Sequence, residues 1–194
     1  MVRGQVATMR ERFRTQVRDD VKRVALRQLA ELGPQGLSIN AIAKELGVSG
    51  PALYRYFEGR DALLTALVLD AYDDLADALA GAVQAVDERP AAERLPALGR
   101  AYRGWALAQP HRYRLLFGPP QPGYDAHAEA LVRAARRAMD VLLGALGDGR
   151  VDERRAVGVW ARLHGLVSLE IAGNFASMGL DADALFEAEL AALA

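Results

Sequence analysis

Residues 38–57 decide the fold: Ser38-Ile39-Asn40-Ala41-Ile42-Ala43-Lys44-Glu45-Leu46-Gly47-Val48-Ser49-Gly50-Pro51-Ala52-Leu53-Tyr54-Arg55-Tyr56-Phe57. Ile39, Ile42, Ala43 and Leu46 recur at i, i+3, i+4 and i+7, which is one face of a short helix. Ser38 precedes it at the capping position, where a side-chain oxygen accepts an otherwise unpaired amide N–H. Gly47-Val48-Ser49 then makes a tight turn, and such a turn needs a residue that tolerates positive φ. Ser49 or Gly50 caps a second short helix, Pro51 fits its first turn, and Leu53 and Phe57 form its apolar pair. The spacing predicts a helix-turn-helix. Val48 is expected to plug the angle between the helices, with Ile42, Leu46, Leu53 and Phe57 binding both to an earlier helix. Pro51, Ala52, Tyr54, Arg55 and Tyr56 remain for the outward side. Two phenols and an arginine without an acid suit the base edges and phosphates of a major groove. The alternative is an ordinary buried helical corner.

Upstream, Val21, Ala25, Leu29 and Leu32 recur at helical spacing and stop at Gly33-Pro34, a termination signal. Downstream, a long helix is expected from about Arg60 to Gly81, with Leu64, Leu67, Val68, Ala71, Leu75 and Leu79 on one face. A break at Glu88-Arg89-Pro90 precedes a helix through Trp105, and Pro110 starts a short one. After the loop Gly118–Gly123, helices are expected over 125–146 and 152–177 around the Gly147-Asp148-Gly149 turn, and a last one from Asp181 to Leu193. The chain reads as all-α, with no strand pattern.

Composition narrows the function. Hydrophobic residues are 52% and charged residues 25% of the 194, an ordinary globular balance. With no cysteine, disulfide scaffolds, thiolate metal sites and cysteine nucleophiles are excluded. His111, His127 and His164 are scattered, so neither a metal centre nor a cofactor is expected. The longest apolar stretch, Ala62 to Leu69, is too short for a bilayer, and charge at Arg10, Glu11, Arg12 and Arg14 breaks any leader pattern. No membrane partner is expected, and the location is expected to be the cytoplasm. Net charge hides an asymmetry: residues 1–60 carry 11 basic and 6 acidic residues, whereas 61–194 carry 13 and 19. A basic first third suggests that this end meets a polyanion.

The stretch from Arg18 to Leu64 resembles the TetR family of one-component bacterial regulators. Val21, Ala25 and Leu29 match that family's first helix, Ser38–Ala43 its second, Gly47-Val48-Ser49 its turn, Ala52–Phe57 its recognition helix and Arg60–Leu64 the start of its fourth. The resemblance implies phosphate contacts at Ser38, Tyr56 and Arg60, and a backbone-proximal Arg18. It places Ser49, Gly50, Ala52, Tyr54 and Arg55 within reach of bases. Gly50 and Ala52 depart from the family's usual lysine and threonine, leaving a recognition helix poor in hydrogen-bonding side chains. Ala52 is then suited to a thymine methyl and Arg55 to a guanine edge, with the rest read through DNA shape. Residues 1–17 are read as a basic extension, either a solvated tail or an arm along the DNA. Phe13 and Val17 also fit a prolonged first helix.

The remainder is similar to the TetR-like subset whose ligand domain is named for a Trp…His-Gly motif, here Trp160-Ala161-Arg162-Leu163-His164-Gly165. Ala108–Gly118 also fits that subset. The implied organisation is a DNA-binding domain over 18–60 and a ligand-binding and dimerisation domain over 61–194. Leu67, Ala71, Tyr102, Trp105, Leu116, Phe117, Trp160, His164 and Phe175 are expected to line a mainly apolar pocket between helices. For His164, a core imidazole bonded to a backbone carbonyl is an equal reading. Gly158, Ala161, Gly165 and Ala172 form a small-residue stripe that permits close helix approach, and Leu185, Phe186 and Leu190 supply apolar surface for a homodimer interface. The expected partners are a double-stranded DNA operator, a small-molecule inducer and a second copy of the chain. The expected function is a homodimeric repressor released by its inducer, or alternatively a ligand-dependent activator. An enzyme is disfavoured: His164, Ser168 and Glu170 do not share the geometry of a catalytic set, and no phosphate loop or nucleophile elbow is present.

Overall fold

The computed structural model describes residues 8–86, 91–118, 124–125, 128–146 and 153–193. Every element in them is helical, as the periodicity requires. Arg3, the Glu88-Arg89-Pro90 break, most of the loop after Gly118, His127 and the Gly147-Asp148-Gly149 turn lie outside the described residues.

Helix α1 (Met9–Leu32) starts within the expected extension rather than after it. The cause is local. Thr8 Oγ1 accepts from Glu11 N at 3.3 Å while Glu11 Oε2 accepts from Thr8 N at 2.7 Å, a reciprocal cap. Residues 9–17 are therefore helix, and the reading that prolongs the first helix through Phe13 and Val17 describes them. α2 (Ile39–Glu45) and α3 (Gly50–Tyr54) follow. Gly47, at φ +68°, turns the chain between them, and Val48 N donates to Ala43 O at 3.0 Å. Val48 itself is 42% exposed, so backbone hydrogen bonds close this turn and no side-chain plug is present.

α4 (Arg60–Gln84) is shared by two compact units, residues 1–68 with 119–124 and residues 69–118 with 125–194. The division falls inside α4 and not at its start, because Leu63, Leu64, Leu67 and Val68 are buried and belong to the first unit. That unit's core joins them to Val21, Val24 and Ala25 of α1, Ile42 of α2 and Leu53 of α3.

The second unit contains α5 (Arg94–Ala108), α6 (Pro110–Phe117), α7 (Glu129–Ala145), α8 (Glu153–Ile171), α9 (Asn174–Ser177) and α10 (Ala182–Leu193). Its core is built from Leu75 and Leu79 of α4, Leu98 and Tyr102 of α5, Leu142 of α7, Leu163 and Val167 of α8, and Phe186 and Leu190 of α10. The helix expected over 152–177 is two helices. Gly173 adopts φ +78°, which ends α8 and sets Phe175 on α9. Asp181 caps α10, its Oδ1 accepting from Asp183 N at 2.9 Å and Ala184 N at 3.1 Å. Arg103 fastens three helices: Nε and Nη2 donate to Glu170 of α8 at 2.7 and 2.6 Å, and Nη1 reaches Asp183 of α10 at 2.5 Å. Arg100 grips Glu187 in the same bidentate manner.

Candidate nucleic-acid interface and effector site

In the first unit the outward side of the helix-turn-helix carries most of the expected residues. Ser49, Arg55 and Tyr54 (47%) are exposed, and Gly50, Ala52 and Tyr56 are half-buried. Ser49 stands at the cap of α3 without a side-chain cap bond. Ser38 Oγ accepts from Ala41 N at 3.3 Å, which leaves its own proton available to an outside acceptor such as a phosphate. Gly50 faces Asn40 across the turn: a Cβ there would lie 3.0 Å from Asn40 Oδ1. The glycine thus lets α3 start close beside α2. Asn40 is exposed beside the recognition helix, a position the sequence reading passed over. Arg60 is half-buried and pairs with Asp61 at 3.4 Å.

Arg18 has a structural task. Its Nη1 donates to Tyr56 O at 2.9 Å, satisfying a carbonyl just past α3, and its guanidinium lies 4.6 Å from the Phe57 ring centroid. It locks the end of the recognition helix to α1. Other arginines of α1 are likewise committed, Arg23 to Asp20 and Arg27 to Glu45.

In the second unit His164 sits among four aromatic rings. The ring planes of Tyr113 and Trp160 stack on it at centroid distances of 5.7 and 5.2 Å, and Phe117 meets it edge-on at 5.0 Å. The hydroxyls of Tyr102 and Tyr113 both lie 3.1 Å from His164 Nδ1. Nδ1 of a neutral imidazole has one lone pair and accepts from one phenol at a time, the Tyr102 hydroxyl donating to the Tyr113 oxygen beside it, and burial holds His164 below its ordinary pKa. Burial likewise pushes both phenols up, so the cluster is uncharged near neutral pH. His164 thus bonds phenols, and the backbone-carbonyl alternative does not describe it. Tyr113 was missed in the sequence, although its place four residues before Phe117 puts the two rings on one face of α6.

The cluster gathers Tyr102, Phe117, Trp160 and His164 of the expected pocket, and Leu116 packs half-buried against the same core. The other members lie elsewhere. Leu67 belongs to the first unit's core, Ala71 is fully buried on α4, and Phe175 is buried on α9, outside this core cluster. Trp105 is drawn to Asp74 of α4, whose Oδ2 accepts from Trp105 Nε1 at 2.9 Å, Gln109 Nε2 at 2.8 Å and Arg112 Nη1 at 2.8 Å. Burial raises the Asp74 carboxyl, but these three donors outweigh it and hold it below the usual carboxylate range.

Of the expected dimer residues, Gly158 and Ala161 are exposed on α8, Gly165 is half-buried, and Ala172 is exposed in the turn after α8. Leu185 is half-buried. Phe186 and Leu190 are each 1% exposed, packed inside their own unit beneath α5 and α8, so they are core and not interface. The helical period that put them on the apolar side of α10 is satisfied within the chain. Exposed Val157 and Leu169 share the stripe's side of α8 instead. Glu170, weighed above beside His164 and Ser168, is engaged by Arg103.

The family model described as bacterial regulatory proteins, tetR family, matches residues 23–67. The model described as the tetracyclin repressor-like C-terminal domain matches residues 95–193. An HTH-type transcriptional regulator of Mycobacterium bovis is 33% identical over 210 aligned residues, covering 91% of this chain and 90% of that protein. The crystal structure of SCO4313, described as a regulatory protein, is 44% identical, covers 96% of this chain and 98% of its own, and has a TM-score of 0.83. A TetR variant from Acinetobacter baumannii AYE in complex with minocycline is alike in fold, at 22% identity over 89% of this chain and 91% of that one, with a TM-score of 0.54. Among the described residues no helix is long and apolar enough to cross a membrane.

Proposed function

The chain belongs to the tetR family of bacterial regulatory proteins and is a DNA-binding transcriptional regulator; from that premise we propose that it is a homodimeric repressor, released from a palindromic operator by a small, mainly apolar molecule. The observation that carries the ligand reading is the ring cluster of Tyr102, Tyr113, Phe117, Trp160 and His164, with an uncharged phenol–imidazole hydrogen-bond centre. Aromatic walls with a few convergent polar groups are the usual make-up of an apolar ligand site. The stacked Trp160 and His164 also support assignment to the Trp…His-Gly subset. The minocycline complex of the same fold gives a precedent for a small-molecule effector.

Ser38, Ser49, Gly50, Ala52, Tyr54, Arg55, Tyr56 and Arg60 are the proposed DNA-contacting positions, and Arg18 supports them from behind. The proposed dimer surface is the exposed side of α8 bearing Val157, Gly158, Ala161 and Leu169, where small residues let a second helix approach. Two-fold symmetry then predicts a palindrome with half-sites about one helical turn apart. Induction is a population shift: a ligand that favours one setting of α4 changes the DNA-binding state, because α4 is shared by both units. A DNA target places the protein in the cytoplasm.

The test is selection from a random duplex DNA library at physiological salt, followed by transcription in vitro from a promoter carrying the recovered site. An enriched palindrome and reduced transcription support the proposal. Increased transcription would favour a ligand-dependent activator, and recovery without enrichment would defeat sequence-specific binding.

A further inference from the structure

Three arginines in the first turns of α1 stand apart from those that follow. Arg10, Arg12 and Arg14 are exposed and form no ion pair among the described residues, whereas Arg18, Arg23 and Arg27 are all engaged. The one acid among them, Glu11, is held in the cap on Thr8, where hydrogen bonds to the Thr8 backbone and side chain lower its pKa. On a helix of 3.6 residues per turn, Arg10, Arg14 and Arg18 climb one side of α1, four residues and roughly 6 Å apart, with Arg12 on the far side. The last member of that ladder, Arg18, bonds Tyr56 O and covers Phe57. The unpaired pair therefore continues, along the same side of the same helix, from the end of the recognition helix.

We propose that Arg10 and Arg14 form a second DNA contact, to backbone phosphates flanking the bases that α3 reads. The inference rests on the DNA-binding reading and adds to it a sequence-independent footing on a preformed helix. Charge selects the partner: guanidinium forks fit phosphate oxygens bidentately, and the one acid between them, Glu11, is occupied by the cap on Thr8. The reciprocal cap orders these turns in advance, so little conformational freedom is lost on contact. The neighbouring Met9 and Phe13 are exposed apolar residues, and a protein docking there would depend on them and not on the arginines.

The experiment uses the full chain and the palindrome recovered by duplex selection, in two lengths: the palindrome alone, and the palindrome extended by about ten base pairs on each side, one helical turn. Affinities of the wild type, of the double variant Arg10→Ala with Arg14→Ala, and of Arg12→Ala are measured across salt. Alanine is the best helix former, so α1 is kept, and circular dichroism verifies it. The wild type should prefer the extended duplex. The double variant should lose that preference, and its salt slope should fall by about 0.9 for each phosphate released. Two copies with two contacts each give a change of about 3.6, or roughly 150-fold less affinity lost between about 50 and 200 mM salt. Arg12→Ala should keep the wild-type slope. An unchanged slope in a double variant that still binds, or an equal effect of Arg12→Ala, overturns the inference and leaves the DNA-binding reading standing. A wild type that binds neither duplex overturns both.

Discussion

Replacing Asp74 by alanine removes one oxygen on which three donors converge, and the cost can be worked from their surroundings. Trp105 is 7% exposed, so its indole N–H gains no water in exchange. Leaving such a donor unpaired costs about 1–3 kcal/mol. Gln109 is half-buried and adds about 1 kcal/mol. The Arg112 pair adds less than about 1 kcal/mol, since the Asp74 side chain is 41% exposed and solvent screens it. The sum is about 3 kcal/mol, which at this chain length lowers Tm by roughly 6–12 °C. Thermal unfolding followed by near-ultraviolet circular dichroism reports it directly, because both tryptophans, Trp105 and Trp160, lie in the second unit. Asp74→Asn keeps an acceptor oxygen and should recover most of the loss. A double-mutant cycle of Asp74→Ala with Trp105→Phe should show a coupling of about 1 kcal/mol or more. A loss below about 0.5 kcal/mol for Asp74→Ala, the range of an ordinary surface change, would refute this account of how α4 is held to α5 and α6. So would an asparagine variant as damaged as the alanine one, which would make charge the operative property.

Burial holds the pKa of His164 in the folded protein below that of the unfolded chain, which protonates it near pH 6.5. Its contribution is therefore complete above that value and declines as pH falls below it. The denaturant midpoint should drop between pH 7.5 and 5.5, by less in His164→Phe, and an equal drop in both would contradict the assignment. Gly99→Ala places a methyl 2.4 Å from Leu190 Cδ2 and should cost about 1–3 kcal/mol by overpacking, read in the same melts; wild-type stability would show that α5 and α10 are further apart. Tyr54→Ala should weaken binding to the selected palindrome without altering the sedimentation of the protein, and unchanged affinity would remove Tyr54 from the interface.

The first unit was largely legible because its signals are local. A helix of two turns, a glycine at positive φ and a serine cap each lie within a few residues, and α2 and α3 follow them closely. Val48 was misread because an apolar residue in a tight turn suggests burial, while the turn is closed by the main chain. The start of α1 was legible in principle: Thr8 and Glu11 are a capping pair, but the apolar periodicity that marks a helix begins only later. The second unit yielded less, since its site joins the consecutive helices α5 and α6 to α8, with His164 standing 51 residues after Tyr113. Tyr102, Phe117, Trp160 and His164 were found as aromatic or titratable residues at helical spacing. Trp105 has the same signature and serves Asp74, a distinction that only the fold provides. Phe186 and Leu190 show the same limit: periodicity identifies an apolar side of a helix, but not whether its own chain or another covers it.

The joint between α5 and α10 also bears on how the last helix keeps its place lengthwise. Asp183 and Glu187 are one turn apart and answer Arg103 and Arg100. Charge by itself reads that ladder ambiguously, because a slide of one turn, roughly 5.4 Å, would still set one of these acids opposite one of the arginines. The apolar side is not interchangeable in this way. The same slide would carry Phe186 into the position of Leu190, over Gly99, where the leucine already leaves no room for a methyl. The absent side chain at Gly99 works as a detent: it accepts one residue of α10, rejects its neighbour a turn away, and supplies the positional information that the ion pairs lack.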